Sequence, residues 1–179
     1  MSLCMDLPDC EYEWLQFSGA WARERHLKVR KLESGIQGID SLRGHSSNNQ
    51  NPFVILKRPD TGENAGEAIG FSLVYSGNFL AQAEVDTFGT TRMLLGINPF
   101  GFDWKLPKGA SFQTPEAVMV YTDRGLNHLS QTFHRLYQKR LARGYWRDKV
   151  RPILINNWEA TYFDFTEERL VEIAEKAKE

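Results

Sequence analysis

Cysteine is almost missing from this sequence. Cys4 and Cys10 stand near the first residue, and their spacing fits no metal-ligand or redox pattern. A reduced, cytoplasmic protein is the expectation that follows. No apolar run approaches the roughly 18 residues of a membrane-spanning helix, so no membrane partner is expected. The opening stretch MSLCMDLPDCEYEWLQF carries Asp6, Asp9 and Glu11 where a secretory signal would need basic residues and then an apolar run. Neither charge is in excess. Lys and Arg number 22 against 23 Asp and Glu, a net charge of -1, which argues against nucleic-acid binding by phosphate neutralisation. Internal repeats and low-complexity segments are missing too.

What is present is ordinary globular material: 41% hydrophobic and 25% charged residues, which excludes disorder as the default. A length of 179 residues suits one domain, or one domain with a piece of another. Aromatics make up 12%, including five Trp, and many stand beside Gly, Asn or Pro, as in SGAW, NPF, NPFGFDW and NNW. A sugar ring has an apolar CH face and a hydroxyl rim, and aromatic planes beside polar groups suit both. The plainer reading is that these rings fill a β-sandwich core.

The pattern along the chain is mainly β. Residues 10 to 32 alternate as two strands broken at Ser18 and Gly19. SLRGHSSNNQNPF, residues 41 to 53, reads as loop. FVILKR, a hairpin turning at Ser76, Gly77 and Asn78, TTRMLLGI and EAVMVYT supply further strands. Many short strands with turns between them predict an antiparallel sandwich. After Thr122 the period changes. Leu126, Leu129, Phe133, Leu136, Tyr137 and Leu141 follow helical steps of three and four, with Thr122 or Asp123 able to cap the start and Gly144 placed just past the end. The apolar run in RPILINNWEATYFDF, residues 151 to 165, predicts a strand covered on both faces. A second helix follows Asp164 or Thr166 and is still running at Glu179. The expected division is a sandwich portion over 1–122, a linking helix and loop over 123–150, and a truncated β/α unit over 151–179. One such strand cannot make a sheet, so either it joins the edge of the sandwich or, the favoured expectation, the chain is a piece of a longer protein.

RPILINNWEATYFDF closely resembles the first barrel strand and following loop of family-36 glycoside hydrolases, the melibiase-type retaining α-galactosidases. SGAWARERH, QNPF, GFSLVYSGNFLAQAEVD, GINPFGFDWKL, SFQTPEAVMVY and GLNHLSQTFHRLYQKRLARG are similar to that family as well, in the family's order. The resemblance implies the later strands of an N-terminal β-supersandwich, a linking helix, and the first β/α unit of a (β/α)8 barrel. It implies a parent enzyme that hydrolyses galactosyl oligosaccharides such as melibiose and raffinose, without a cofactor or metal, commonly as a homotetramer. Functional groups of such a barrel gather at the C-terminal ends of its strands, where Asn156, Asn157, Trp158 and Glu159 fall.

Retaining glycosidases use two carboxyl groups about 5 to 5.5 Å apart. In the resembled family the nucleophilic Asp lies in a Lys-Trp-Asp motif, and a paired Asp-Asp grips galactose hydroxyls. This chain contains neither motif, so no catalytic residue is assigned in it and the isolated chain is expected to be inactive. Glu159 reads as a hydrogen-bonded support for its loop, and Asp164 as a helix cap. By the same resemblance, Trp158 matches a Trp lining the galactose pocket, against a structural Trp at the barrel rim. Trp21 matches a sandwich Trp bordering the sugar site, against burial in the sandwich. Arg43 and His45 lie in a loop that either reaches a site or a neighbouring subunit, or simply connects. The alternative to an enzyme portion is a non-catalytic carbohydrate-binding or subunit-assembly module. Against it stands the truncated β/α unit, which a free module has no reason to begin.

Overall fold

A computed structural model describes residues 2 to 178. It divides into two compact units, Met1–Tyr137 and Gln138–Glu179. Among the described residues the first unit has strands β1 (Leu3–Leu7), β2 (Glu13–Ala20), β3 (Arg23–Lys31), β4 (Gly35–Asp40), β5 (Gln50–Lys57), β6 (Ala68–Val74), β7 (Phe79–Val85), β8 (Thr91–Ile97) and β9 (Glu116–Thr122), then helix α1 (Gly125–Leu136). The strands form two sheets, ordered β1-β8-β7-β4 and β3-β2-β5-β6-β9. Every ladder is antiparallel. The expected antiparallel sandwich is therefore present.

Alternation builds the core. On β7, Phe79, Ala81, Ala83 and Val85 turn inward and are buried, while Leu80, Gln82 and Glu84 between them are only partly covered. They meet Trp14, Val54, Leu56, Phe71 and Leu73 from the five-stranded sheet. Strands β5 and β6 are buried on both faces, because α1 covers the outer face of that sheet. Leu129 and Phe133 of the helix pack there against Leu15, Ile55 and Ala68. This second, smaller core is why VILK and AIGFSL are buried residue after residue although their ladders are antiparallel.

The start of α1 is fixed by tertiary contacts. Gly125 has φ +76°, and a Cβ there would stand 2.6 Å from the Glu63 carbonyl oxygen and from the Ala65 nitrogen. The first amides of the helix donate to the turn between β5 and β6: Gly125 to the Gly66 carbonyl at 3.0 Å, Leu126 to Gly62 at 3.0 Å and Asn127 to Glu63 at 2.9 Å. The orphan donors of a helix end are thus satisfied by a neighbouring turn. Neither expected side chain caps the helix: the N-cap position is Arg124, with no side-chain cap, and the Thr122 hydroxyl accepts from the Arg124 amide just ahead of it at 3.0 Å. After Leu136 the chain continues in a π turn, Tyr137–Leu141.

Several elements differ from the sequence expectation. The β2–β3 hairpin turns at Trp21 and Ala22, and Ser18 and Gly19 lie within strand β2. Strands β1 and β4 were not expected: one is short, and the other carries Gly35 and Gly38. The loop over 41–53 ends early, since β5 begins at Gln50 and runs through Pro52. Proline is tolerated inside this sheet because the β2–β5 pairing jumps from Gln16–Val54 to Ser18–Gln50, so its missing N–H falls where the ladder is interrupted.

In the second unit the run over 151–155 forms no strand, and Val150, Ile153 and Leu154 are at least 90% exposed. The reason is physical: a strand of the type expected is stable only between partners, and none is paired with it among the described residues. A short helix α2 (Trp158–Thr161) and helix α3 (Glu167–Lys178) follow. The cap of α3 is Thr166, whose hydroxyl accepts from the Arg169 amide at 3.3 Å, rather than Asp164. Glu179, where the helix was expected still to run, lies outside the described residues.

Candidate functional site

The tip of the β2–β3 hairpin carries Trp21 with 84% of its surface open. Burial in the sandwich, the alternative for this residue, is excluded. Glu24 and Arg25, just beyond the tip, form one wall of a polar cleft of about 720 Å³. His45, Ser46, Ser47 and Asn48 form the other, and Asn51 completes it. The sequence pattern places His45 in a loop that either reaches a site or simply connects, and singles out none of Glu24, Arg25 and Asn51. Arg43 does not line the cleft.

Both walls are held firmly. The Gly19 amide donates to the Asn49 carbonyl at 2.9 Å, tying the hairpin to the loop. The Ser46 amide donates to the Ser76 carbonyl at 2.8 Å, and the Gly44 amide to Asn78 Oδ1 at 2.7 Å. Inside the loop the Ser41 hydroxyl donates to the His45 carbonyl at 2.6 Å. At the tip the Ala22 amide donates to Glu24 Oε1 at 3.0 Å.

Trp158 belongs to the second unit and opens α2, with 42% of its surface exposed. Its amide donates to Asn156 Oδ1 at 2.9 Å, and Asn157 Nδ2 donates to the Thr161 hydroxyl at 2.8 Å. The indole is met edge-on by Tyr162 at 5.5 Å and by Phe163 at 4.8 Å between ring centres. These contacts fix the ring and leave part of it open. The loop support expected of Glu159 comes instead from Asn156 and Asn157, and Glu159 itself is exposed. Trp21 and Trp158 thus stand on different units, each with its own surroundings.

Backbone strain marks the same two places. Among the described residues, the non-glycine positions with left-handed φ are Ala22 at +59°, Arg25 at +59°, Ser47 at +73° and Tyr162 at +47°. Arg25 and Ser47 line the polar cleft, Ala22 stands in the hairpin turn next to Trp21, and Tyr162 follows the helix that carries Trp158. Such conformations cost of order 1–3 kcal/mol each and gather where function holds them.

The carboxyl groups tell a different story from a catalytic centre. A glycosidase acid needs its pKa raised. Hydrogen bonding to Arg58 holds Asp9 below its ordinary value, and the same kind of bond to Arg92 lowers Asp6 and to Arg147 lowers Asp148. Glu168 is lowered by backbone and Thr166 hydrogen bonds at the start of α3. All four are held in the ionised form. Around Trp21 and Trp158 the arrangement offers aromatic surface and hydrogen-bonding groups.

The chain is similar to known proteins along its whole length. Residues 1–107 match the model of the glycosyl hydrolase family 36 N-terminal domain, and residues 111–179 match that of melibiase. The chain is 59% identical over 179 residues to alpha-galactosidase AgaA of Geobacillus stearothermophilus, covering all of this chain and 25% of that protein. It is 48% identical over 177 residues to alpha-galactosidase Mel36A of Lactobacillus acidophilus, of which it covers 24%. A crystal structure of AgaA superposes with a TM-score of 0.94 over 97% of this chain, and one of an AgaA variant in complex with raffinose with a TM-score of 0.93. The chain spans about a quarter of the length of these relatives.

Proposed function

The chain belongs to glycosyl hydrolase family 36, and from that premise we propose that it is a portion of a retaining α-galactosidase acting on terminal α-galactosyl groups of raffinose-type oligosaccharides. The observation that carries the reading is the exposure of Trp21 and Trp158 beside polar groups, each next to a strained backbone position. An indole plane covers the apolar face of a galactose ring, and the neighbouring amides and carboxylates serve its hydroxyls. Trp158 contacts the galactosyl unit itself. Trp21 contacts the substrate further from the reacting carbon. The two carboxyl groups of the double displacement, about 5 to 5.5 Å apart in such enzymes, lie outside these 179 residues. The whole enzyme is a cytoplasmic homo-oligomer, a tetramer, and needs no cofactor.

Steady-state kinetics of the whole enzyme test this. Loss of the Trp158 indole removes apolar contact worth about 1 to 3 kcal/mol. If that contact persists in the transition state, Trp158→Ala lowers kcat/KM on raffinose by about one to two decades. Trp21→Ala acts mainly on KM. Parental kcat/KM in both variants, with folding verified by circular dichroism, overturns the assignment.

A further inference from the structure

Trp21 has no packing of its own to set its direction, since 84% of it is open. Its place is dictated by the hairpin, and the hairpin leaves its sheet through two irregularities. Strand β2 shifts register against β5 between Gln16 and Ser18, and against β3 between Ser18 and Ala20. Bulges bend a strand and interrupt its ladder, so a hairpin beyond two of them would pivot unless something replaced the lost bonds.

A cluster of side chains sits at that point. Trp14, fully buried in the sandwich core, donates its indole N–H to Gln16 Oε1 at 2.8 Å. Gln16 Nε2 donates to the Ser18 hydroxyl at 2.7 Å and to Gln50 Oε1 at 3.2 Å. The Ser18 hydroxyl donates to the same Gln50 oxygen at 2.7 Å. The chain of donors therefore runs from the core to the foot of the hairpin, across β2 and β5. Next to it the Gly19 amide reaches the Asn49 carbonyl. Polar side chains are costly in covered strand positions unless they are satisfied, and satisfied networks fix one geometry.

We infer that Gln16, Ser18 and Gln50 are positioning residues that lock the Trp21 hairpin, and with it the cleft wall of Glu24 and Arg25, in its binding geometry. The inference rests on the reading of Trp21 as a substrate contact. Gln50 acts in the cluster through one oxygen that accepts twice, and this gives a specific test. Gln50→Glu keeps an accepting oxygen, whereas Gln50→Leu of similar size does not.

Hydrogen exchange on this chain judges the lock without reference to sugar. In Gln50→Leu the amides over 19–25 are expected to exchange about tenfold faster or more, while those over 68–97 keep their rates. Gln50→Glu is expected to remain within about twofold of the parent. Unmoved exchange over 19–25 in Gln50→Leu, or equal loosening in Gln50→Glu, overturns the inference. Should Gln50→Leu fail to fold, Ser18→Ala removes one donor with little change of volume and is held to the same criterion. In the whole enzyme, Gln50→Leu is expected to raise KM on raffinose about three- to tenfold with kcat little changed, and to add nothing to Trp21→Ala in the double variant. Additive effects in that cycle overturn action through Trp21. An unchanged KM in Trp21→Ala alone overturns the substrate reading and leaves the exchange result to decide the lock.

Discussion

Gly70 lies directly beneath Phe133, and a Cβ at that glycine would stand 2.6 Å from the ring's Cε2. The ring is buried and packs edge-on against Phe53 at 5.0 Å. The contact is the point where α1 docks on the sandwich. Gly70→Val should therefore destabilise the first unit by about 1–3 kcal/mol, the usual cost of overpacking. Phe133→Ala, which leaves a hole at the same place, should cost about 3–5 kcal/mol. Urea midpoints compared at constant m-value provide the measurement. A neutral Gly70→Val would mean that the helix is not seated on the sheet.

Arg58 takes both oxygens of Asp9, at 2.6 and 3.0 Å, while its guanidinium lies 4.0 Å from the centre of the Tyr12 ring. The bond to Arg58 is the main cause of the lowered Asp9 pKa. A carboxyl lowered on folding contributes its full stabilisation above its unfolded pKa, about 3.9, and loses it as pH falls through the folded value. Asp9→Asn should therefore be less stable than the parent at neutral pH, with the gap closing in acid. Unfolding midpoints taken from neutral pH down to about pH 3 decide it. A gap that stays constant over that range would show that Asp9 contributes nothing through its charge.

The apolar side chains of Val150, Ile153 and Leu154 face solvent in this chain. Exposed apolar surface of that kind favours self-association. The chain should associate with rising concentration, and Ile153→Asp combined with Leu154→Asp should reduce this in sedimentation velocity. Amides over 151–157 should also exchange far faster than those over 68–97. Equal protection of the two segments in a monomer would sink the idea.

The chain by itself should not hydrolyse a chromogenic α-galactoside. It contains neither the Lys-Trp-Asp motif of the nucleophile nor a paired Asp-Asp. Turnover by rigorously purified material that disappears in Glu159→Gln would show that this residue is catalytic after all.

Local pattern alone determined a good deal. Period-two alternation over 79–85 marked β7, the steps from Leu126 to Phe133 marked α1, and the long motifs from SGAWARERH to NNWEAT marked the family. These signals are short-range, and each residue's neighbours in sequence carry them. Tertiary structure decided the rest. Aromatic content could not tell core from surface: Tyr12, Trp14, Phe71, Phe79 and Phe133 are buried, whereas Trp21 and Phe163 are more than 80% exposed. The ring is the same in both settings, and only the partners brought from elsewhere in the chain make the difference. The start of α1 depends on the turn over 62–66, some sixty residues earlier, whose carbonyls take its first amides. The cleft beside Trp21 depends on a bulge that sets Gln50 opposite Ser18 on the neighbouring strand. Conversely, an apolar run that reads as a strand forms none here, because a sheet's hydrogen bonds belong to pairs of strands and no sequence of one strand supplies the other.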